Sequence, residues 1–385
     1  MTDLIVFSHL RWNFVYQRPQ HLLSRLAQHR RVLFIEEPVF DAAGPFLERI
    51  VHGAQLEVLV PHTPVAAAGF HDDQLAVLEP MLSAWLAAHG YDEPVVWFYT
   101  PMALPLLAGL TPRAVVYDCM DELSAFKNAP RQLRQRETAL LKRADVVLTG
   151  GPALYESKRR LHPQVHCLPS SVDAAHFSPD GLDLSCVLAG EARALQGALP
   201  RPRLGFFGVI DERLDIDLVR DLADSHPQWQ IVMAGPVVKI DPADLPQRPN
   251  IHWLGMQPYP LLPYLTAGWD LCLMPFALNE STRFISPTKT LEYMAAEKPI
   301  VSTPVHDVIT LYGDTVRIAP AGADFVNACE LALAEDGLQR NRRIGAMLAT
   351  VQQSSWDHAA ATVHGLLEAA LDKAATVLDE PLRAA

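Results

Sequence analysis

The sequence predicts an α/β protein of two doubly wound domains, each a parallel sheet covered by helices on both faces. Short continuous apolar runs, typical of strands buried on both faces, alternate with amphipathic helix patterns along most of the 385 residues. Between Ser170 and Pro202 this alternation gives way to short turns and Ala/Gly-rich sequence, and a second series begins at Arg203. The length also favours two domains over one.

The elements of both series can be placed in order. Each apolar run ends in a polar loop, and a helix pattern or another run follows within a few residues. The predicted strands are 4–7, 32–35, 56–60, 95–99, 114–117, 146–149, 203–208, 231–235, 251–255, 271–275 and 300–303, and helices are predicted near 22–27, 71–89, 130–143, 152–161 and 322–380.

Three segments follow from this pattern. We expect a first domain at 1–185, a second at 200–355, and a crossover helix and tail at 356–385 that packs back toward the first domain. Two doubly wound domains of similar size are expected to face each other across a cleft at the carboxyl ends of their sheets.

Composition narrows the classes of function. The formal charge of −12 argues against a nucleic-acid partner. The five cysteines are scattered without CxxC spacing, which argues against a disulfide framework and a zinc site. The N-terminal region lacks a secretory signal pattern, and no apolar run has membrane-spanning length. We therefore expect a soluble cytoplasmic protein without a metal centre.

The stretch at 279–304 contains the strongest site signal. A polar loop leads to Ser286, Pro287 and Thr288, and a helix pattern follows. Ser286 suits the N-cap of that helix, and Pro287 suits its first position because a missing N–H costs nothing there. The start of such a helix offers backbone N–H groups and a positive dipole end to an anion.

Two cations are predicted to lie near this anion site. Lys289 lies in the first helical turn, where a cation is unfavourable unless an anion is nearby, and Glu292 follows on about the same face. Arg213 lies near the start of the helix after the first strand of the same domain, and with Lys289 it would receive a diphosphate. The alternatives are a surface Lys–Glu pair, and an Arg213 paired with Asp211 or Asp215. Neither GxGxxG nor GxxxxGK[ST] occurs, which argues against NAD and P-loop sites.

Several motifs carry a resemblance to a known family. They are Gly208 with Asp211-Glu212-Arg213, Pro287-x-Lys289-x-x-Glu292-Tyr293-Met294-Ala295, Lys298-Pro299-Ile300-Val301, Trp356-Asp357, and near the N-terminus Trp12-x-x-Val15-x-Gln17-Arg18-Pro19-Gln20-His21-Leu22. Together they resemble the retaining glycosyltransferases of the GT-B fold, in the group often called family 4, and the last motif resembles a bacterial polysaccharide-assembly subgroup. The resemblance implies two Rossmann-like domains.

The resemblance also implies roles for the residues of the second domain. Gly208, Arg213 and Lys289 would meet the donor diphosphate, assisted by the backbone amides around Ile285 to Thr288, and Glu292 would hydrogen-bond the ribose. Arg213 and Lys289 would also stabilise the leaving diphosphate, so that neither a metal nor a cofactor is implied. The donor would be a nucleotide diphosphate sugar, with UDP the favoured nucleotide, and transfer would proceed on the front face with retention.

The sequence departs from the family pattern at the sugar end. The larger group often carries a glutamate eight residues before the position of Glu292, and Phe284 stands there instead. Glu280 and Arg283, in the same loop, are the candidates to contact the donor sugar in its place.

The first domain supplies the candidates for the acceptor side. His9, Arg11, Trp12 and Arg18 form an aromatic and cationic loop suited to stacking on a sugar ring or meeting an anionic acceptor. The alternative is packing, with Trp12 as a core anchor and Arg18 in an internal ion pair. Asp121, which follows a strand, is the candidate for a base if the reaction uses one, and its alternative is to cap the next helix.

The expected function is transfer of a sugar to a glycan, lipid-linked or other glycosyl acceptor in bacterial polysaccharide or glycoconjugate assembly. The alternatives are a non-catalytic nucleotide-sugar-binding or scaffolding subunit and an epimerase of the same two-domain shape. The basic helix at 130–143 suggests a weak contact with anionic lipid at the inner face of the membrane. The charges of this helix are scattered, however, which favours a helix face exposed to solvent.

Overall fold

The computed structural model describes residues 1–127 and 129–383, with side chains described through residue 376. These residues form two compact units. The second unit comprises Ala125–Lys127 and Ser170–Ser355, and the other described residues, including Trp356–Arg383, belong to the first. The expected end of the first domain at residue 185 is corrected, because Val172 and Phe177 are buried in the core of the second unit.

The first unit is built on a parallel sheet. In the described residues this sheet has nine strands, and every neighbouring pair runs parallel except one antiparallel pair at an edge. The strands are β1 (Leu4–Ser8), β2 (Val32–Glu36), β3 (Val39–Phe40), β4 (Phe46–Gly53), β5 (Leu56–Thr63), β6 (Val95–Phe98), β7 (Ala114–Cys119), β8 (Val146–Thr149) and β9 (Val165–Cys167).

The order of these strands is β3-β5-β2-β1-β6-β7-β8-β9, with β4 antiparallel to β5. The six strands predicted for this unit are confirmed. The three others escaped prediction because β3 and β9 are very short and β4 is an edge strand with mostly exposed side chains. The helices are α1 (Arg18–Leu26), α2 (Asp72–Ala88), α3 (Leu133–Arg143) and α4 (Pro152–Lys158), and 3-10 helices lie at Pro101–Gly109 and Leu123–Ala125.

The second unit repeats this architecture on a smaller scale. Its helices begin inside the stretch expected to be a linker, because α5 (Ala174–Phe177) and α6 (Val187–Gln196) both pack into this unit. The other helices are α7 (Ile216–Ser225), α8 (Leu262–Ala267), α9 (Lys289–Ala295), α10 (His306–Tyr312), α11 (Ala323–Leu333) and α12 (Gly337–Gln352), with 3-10 helices at Pro179–Gly181, Pro242–Asp244 and Tyr259–Leu261.

The sheet of the second unit is wholly parallel in the described residues, in the order β12-β11-β10-β13-β14-β15. Five of its strands were predicted, and the last is a two-residue strand that no apolar run marks. These strands are β10 (Arg203–Phe207), β11 (Gln230–Ala234), β12 (Ile251–Gly255), β13 (Leu271–Met274), β14 (Ile300–Ser302) and β15 (Arg317–Ile318).

The closing helix α13 (Trp356–Arg383) packs on α1 of the first unit. Trp356 is buried, and its ring stacks on His21 with 4.8 Å between centroids. Arg30 adds an ion pair to Glu368 of the same helix at 2.8 Å. Among the helices of the described chain, none has both the length and the apolar character to cross a membrane.

Each sheet has one point where the strand order reverses direction. In the first unit it lies between β1 and β6, and in the second between β10 and β13. Loops leave such a point toward opposite sides and open a crevice at the carboxyl ends of the strands, where ligands of doubly wound proteins bind. The loops after these four strands are therefore the places where a ligand site is expected.

Candidate functional site in the second unit

Two hydrogen bonds, one from a backbone N–H and one from a side-chain amide, join the two loops at the reversal point of the second unit. The Ala277 N–H donates to the Arg213 carbonyl at 2.9 Å. The Asn279 amide donates to the Glu212 carbonyl at 3.0 Å. Because loop geometry is fixed by these bonds, the side chains that both loops carry are positioned before any ligand arrives.

Two glycines let the loop after β10 lie close to the loop after β11 and to Lys289. Gly208 and Gly235 have φ values of +138° and +154°, which residues with a Cβ rarely adopt. A Cβ on Gly235 would lie 1.8 Å from the Gly208 carbonyl oxygen, and a Cβ on Gly208 would lie 2.9 Å from Cε of Lys289. The missing side chain at Gly208 therefore makes the room that the lysine occupies.

Lys289 presents an ammonium without a hydrogen-bond partner among the described residues. Its Nζ lies 5.3 Å from the ring centroid of Phe206 and 5.2 Å from that of Phe276, within cation–π range. Burial, and next the charge of Arg213, lower the pKa of Lys289 to about 8, against the opposing carboxylates of Glu292 and Asp211. Because the charged form of Lys289 is destabilised in this way, a nearby anion would stabilise it.

Arg213 lies close enough to affect that lysine and is fixed by Asp211. Its guanidinium makes bonds of 2.8 to 3.1 Å to both carboxylate oxygens. Asp211 is buried, and the Arg213 side chain is 25% exposed. The alternative pairing considered from the sequence is thus present, and it orients the guanidinium beside Lys289.

Glu292 supplies a buried carboxyl on the same helix. Its side chain is 7% exposed and has no hydrogen-bond partner in the described part of the chain. Burial raises its pKa to about 7, and Lys289 opposes that rise. The next residue, Tyr293, accepts a hydrogen bond at its hydroxyl from the Phe207 N–H at 2.9 Å, which fixes the helix against the end of β10.

The start of α9 corrects the expected capping. The helix begins at Lys289, so Thr288 and not Ser286 is its N-cap, and no side chain caps it. Pro287 precedes the helix and accepts a bond from the Thr290 N–H at 3.2 Å. Ser286 is half-buried, and Thr288 donates to the Ser170 hydroxyl at 3.1 Å. The first helical turn is therefore tighter and starts later than the proline position suggested.

The loop before α9, which is expected to meet the donor sugar, is exposed at Glu280 and Arg283. Glu280 and Arg283 both face solvent, and the Arg283 guanidinium lies 5.2 Å from the ring centroid of Phe284. Asn279 organises this loop, because its side-chain oxygen accepts from the Ser281 N–H at 3.0 Å. Contact of Glu280 or Arg283 with a donor sugar stays a prediction.

Two acceptor-side candidates of the first unit belong to its interior. Trp12 is 8% exposed and packs edge-on against Phe34, with 5.0 Å between centroids. Arg18 is 2% exposed, and its guanidinium binds both oxygens of Asp118 at 2.9 and 3.0 Å and the Leu168 carbonyl at 2.6 Å. Burial and these internal partners correct the expectation of substrate contact and favour the packing alternative for both residues.

The other candidates of the first unit stay near its carboxyl edge. His9 is half-buried in the loop after β1. Arg11 follows it and donates to the Glu36 carboxylate at 2.9 Å and to the Glu37 carbonyl at 2.5 Å. Asp121 is half-buried after β7, and its carbonyl accepts from the Cys119 thiol at 3.6 Å. A role for Asp121 as a base stays a prediction.

The groups that support the cations carry little signal in the sequence. Phe206 and Phe276 face Lys289 from the ends of two strands, where apolar residues look like ordinary core. Asn279 is the exception, because Asn in a polar loop often accepts from the backbone two residues on and so forms a side-chain-stabilised turn, as it does here with Ser281.

Three comparisons place this geometry among known proteins. Residues 201–335 match a family model described as Glycosyl transferases group 1. The chain is 26% identical over 295 residues to the putative teichuronic acid biosynthesis glycosyltransferase TuaH of Bacillus subtilis (strain 168), covering 71% of this chain and 72% of that protein.

Solved structures resemble nearly the whole chain. Sucrose-phosphate synthase from Thermosynechococcus elongatus superposes with a TM-score of 0.73 at 17% identity, covering 96% of this chain and 98% of the other. HepE of Anabaena, in complex with UDP and glucose, gives 0.68 at 16% identity, covering 96% and 100%. The fold, the matched region and the curated relative together make this chain a glycosyltransferase with the GT-B fold.

Proposed function

We propose that this enzyme transfers a sugar, with retention, from a UDP-sugar to a glycan or lipid-linked acceptor in polysaccharide assembly. The observation that carries the proposal is the Lys289 ammonium, which has two aromatic neighbours and no hydrogen-bond partner in the described chain. It lies beside Arg213 at the reversal point of the sheet. A diphosphate is the ligand that satisfies two adjacent cations at such a place.

The two ends of a nucleoside diphosphate fit different groups of this site. Arg213, held rigid by Asp211, and Lys289 would bind the diphosphate oxygens. The partnerless carboxyl of Glu292 would accept hydrogen bonds from the ribose hydroxyls. The relatives support UDP as the nucleotide, since HepE is described in complex with UDP and glucose.

The same cations would assist the chemical step. As the bond between the sugar and the diphosphate breaks, negative charge grows on the leaving phosphate. Arg213 and Lys289 are already in place to stabilise it without reorganisation. In front-face transfer the acceptor hydroxyl attacks on the side from which the diphosphate leaves, and a leaving oxygen takes its proton. Asp121 is then not required as a base.

The acceptor side of the proposal rests on the curated relative. TuaH is described as a teichuronic acid biosynthesis glycosyltransferase, which supports a glycan acceptor in polysaccharide assembly. A lipid-linked glycan at the inner membrane face would suit the exposed cations of α3, although no stripe of them forms. The exposed cations of α3 are Arg134, Lys142 and Arg143, and the exposed Arg131 lies just before the helix.

Nucleotide binding and turnover test the proposal in two steps. UDP should raise the melting temperature of the full-length protein more than GDP or dTDP, and a UDP-sugar panel should reveal one donor that is hydrolysed or transferred. Arg213→Ala should remove the UDP response. Arg220→Ala is the matched control, because Arg220 also pairs with an aspartate, Asp217, on the exposed face of α7.

Two outcomes would contradict the proposal in different ways. If none of the nucleotides changes the melting temperature, the donor site is wrong. If UDP binds but no donor is consumed, the protein is the non-catalytic nucleotide-sugar-binding subunit that Phe284, in place of a glutamate, already makes the second candidate.

A further inference from the structure

A second partnerless carboxyl lies at the carboxyl edge of the first unit. Glu37 directly follows β2, beside the strand β1 that borders the reversal point of this sheet. It is half-buried, and its carboxyl has no hydrogen-bond or ion-pair partner among the described residues. Burial raises its pKa to about 7, although the nearby Arg11 opposes the rise. A carboxyl in this state is incompletely satisfied by its own protein.

The neighbouring arginine could have paired with Glu37 and does not. Arg11 donates instead to the Glu36 carboxylate at 2.9 Å, to the Glu37 carbonyl at 2.5 Å and to the Pro38 carbonyl at 3.4 Å. These bonds fix the backbone at the end of β2. The backbone that carries Glu37 is therefore fixed, while neither oxygen of its carboxyl receives a hydrogen bond from the described residues.

Gly69, on the other side of the Glu37 carboxyl, also leaves room for it. Gly69 has φ of +63°, and a Cβ there would lie 2.6 Å from Oε1 of Glu37. The backbone cannot easily retreat, because the next residue, Phe70, is 1% exposed and packs edge-on against Phe7 with 6.0 Å between centroids. Gly69 thus leaves the space that the carboxyl occupies.

We propose that Glu37 is a hydroxyl-binding residue of the acceptor site, with Arg11 and Gly69 as positioning residues. This inference rests on the proposed function, because it assigns a role to the other substrate of that reaction. A carboxylate with two open oxygens binds the hydroxyl groups of a neutral sugar well. It repels a uronic acid or a phosphate, so the site selects a neutral sugar ring at this position.

A glycine pair provides a matched test. Gly90 has nearly the same backbone conformation as Gly69, with φ of +67°, but no atom lies within 4 Å of a Cβ built on it. Gly69→Ala and Gly90→Ala therefore introduce the same backbone strain, and only the first displaces the carboxyl. Glu37→Gln removes the charge and keeps the shape.

Saturation-transfer NMR with the full-length protein tests the site directly. The ligands are the methyl glycosides of glucose, galactose and N-acetylglucosamine. At least one glycoside should bind the wild type, and more tightly as pH rises through about 7, because the ionised carboxyl is the better acceptor. Glu37→Gln should weaken that binding about tenfold to a hundredfold, the range for a lost hydrogen bond to a charged group, and remove the pH dependence. Gly69→Ala should weaken it too, and Gly90→Ala should not.

The outcome is separable from that of the proposed function. The UDP-induced change in melting temperature should be the same in wild type, Glu37→Gln and both glycine variants, since that site lies in the second unit. The inference is overturned if no methyl glycoside binds the wild type, or if Glu37→Gln binds as the wild type does. It is also overturned if Gly69→Ala and Gly90→Ala behave alike. A missing UDP response in the wild type would instead overturn the donor site alone.

Discussion

Replacing Lys289 by methionine should make the nucleotide-free protein more stable and abolish its response to UDP. The ammonium is desolvated and lies near the like charge of Arg213, which together lower its pKa to about 8 from the ordinary 10.5. The charge of Lys289 therefore destabilises the folded state relative to the unfolded state. Methionine fills similar volume, keeps contact with the rings of Phe206 and Phe276, and carries no charge.

The size of the gain follows from that pKa. A fall of about 2.5 corresponds to at most about 3.4 kcal/mol, at 1.36 kcal/mol for each pKa unit. Lys289 is only half-buried, so solvent screening removes roughly half of this, and the lost cation–π contacts offset about 0.5–1 kcal/mol more. The net gain is about 1 kcal/mol, or roughly 2–4 °C for a unit of this size.

Urea or thermal denaturation with and without UDP measures both effects. The penalty on the charged lysine is fully present below pH about 8 and is relieved as pH rises toward 10.5, so the gain should be largest at neutral pH. At a UDP concentration about 100 times its Kd, the wild type should gain about 2.7 kcal/mol and the variant nothing. A variant less stable than wild type by about 1 kcal/mol, or one with a wild-type UDP response, would refute the reasoning.

Lys298→Met is the control. Lys298 is also a lysine with a lowered pKa caused by burial. Its ammonium, however, donates to the carbonyls of Ala267 and Trp269 at 3.0 and 2.9 Å. Removing it leaves two carbonyls without their donor, so this variant should lose stability and keep the UDP response.

Three further predictions concern other residues. Glu292→Gln should raise the unfolding free energy relative to wild type above pH about 7 and not near pH 4.5, because the raised pKa penalises the charged carboxylate in the folded state as pH rises through that window; urea denaturation at the two pH values measures it. Gly235→Ala should lower the melting temperature far more than Gly255→Ala, which adds a Cβ at positive φ with no atom within 4 Å, and equal losses would show that the loop relaxes. Arg18→Met should cost about 3–5 kcal/mol by leaving Asp118 buried and unpaired; adding Asp118→Leu should recover most of this, and a stable single variant that fails only in transfer would return Arg18 to the substrate.

The strands were predictable because the physics that forms them is local. A strand of a parallel sheet is covered on both faces, so Leu4–Ser8 and Val95–Phe98 appear as uninterrupted apolar runs. The edge strand Phe46–Gly53 lacks that signal, since most of its side chains are exposed and its pairing partner alone makes it a strand. The same reason hid the two-residue strand Arg317–Ile318.

About half of the proposed donor site was predictable from the sequence. Parallel strands bring their carboxyl ends to one edge, so Arg213 and Lys289 could be expected together from their positions after two strands of one sheet. The burial of Lys289 against two rings could not be expected, because Phe206 and Phe276 carry the same pattern as core residues. Asp211 could be recognised as a partner of Arg213, but not as the residue that aims it toward the lysine.

The acceptor loop shows the limit of local reasoning most clearly. Trp12 and Arg18 combine an aromatic ring and a cation within one loop, which is also what a sugar-binding surface looks like. Arg18 instead binds Asp118, which is 100 residues away in sequence, and no local pattern reports such a partner. Glu37 was overlooked for the converse reason, because the absence of a partner is a property of the folded unit alone.

The opposite pKa displacements of Lys289 and Glu292 describe the ligand. Burial and the charge of Arg213 destabilise the charged form of Lys289 and lower its pKa. An anion with more than one oxygen would stabilise that charged form, because it could bind Lys289 and the nearby Arg213 together. Burial raises the pKa of Glu292 and so favours its neutral form. Hydrogen-bond donors without a negative charge would stabilise its carboxylate. Inorganic phosphate would relieve the first and not the second, and a free sugar the reverse. A diphosphate attached to a ribose carries both chemistries, and we therefore propose that a single nucleotide relieves the penalties on Lys289 and Glu292 together.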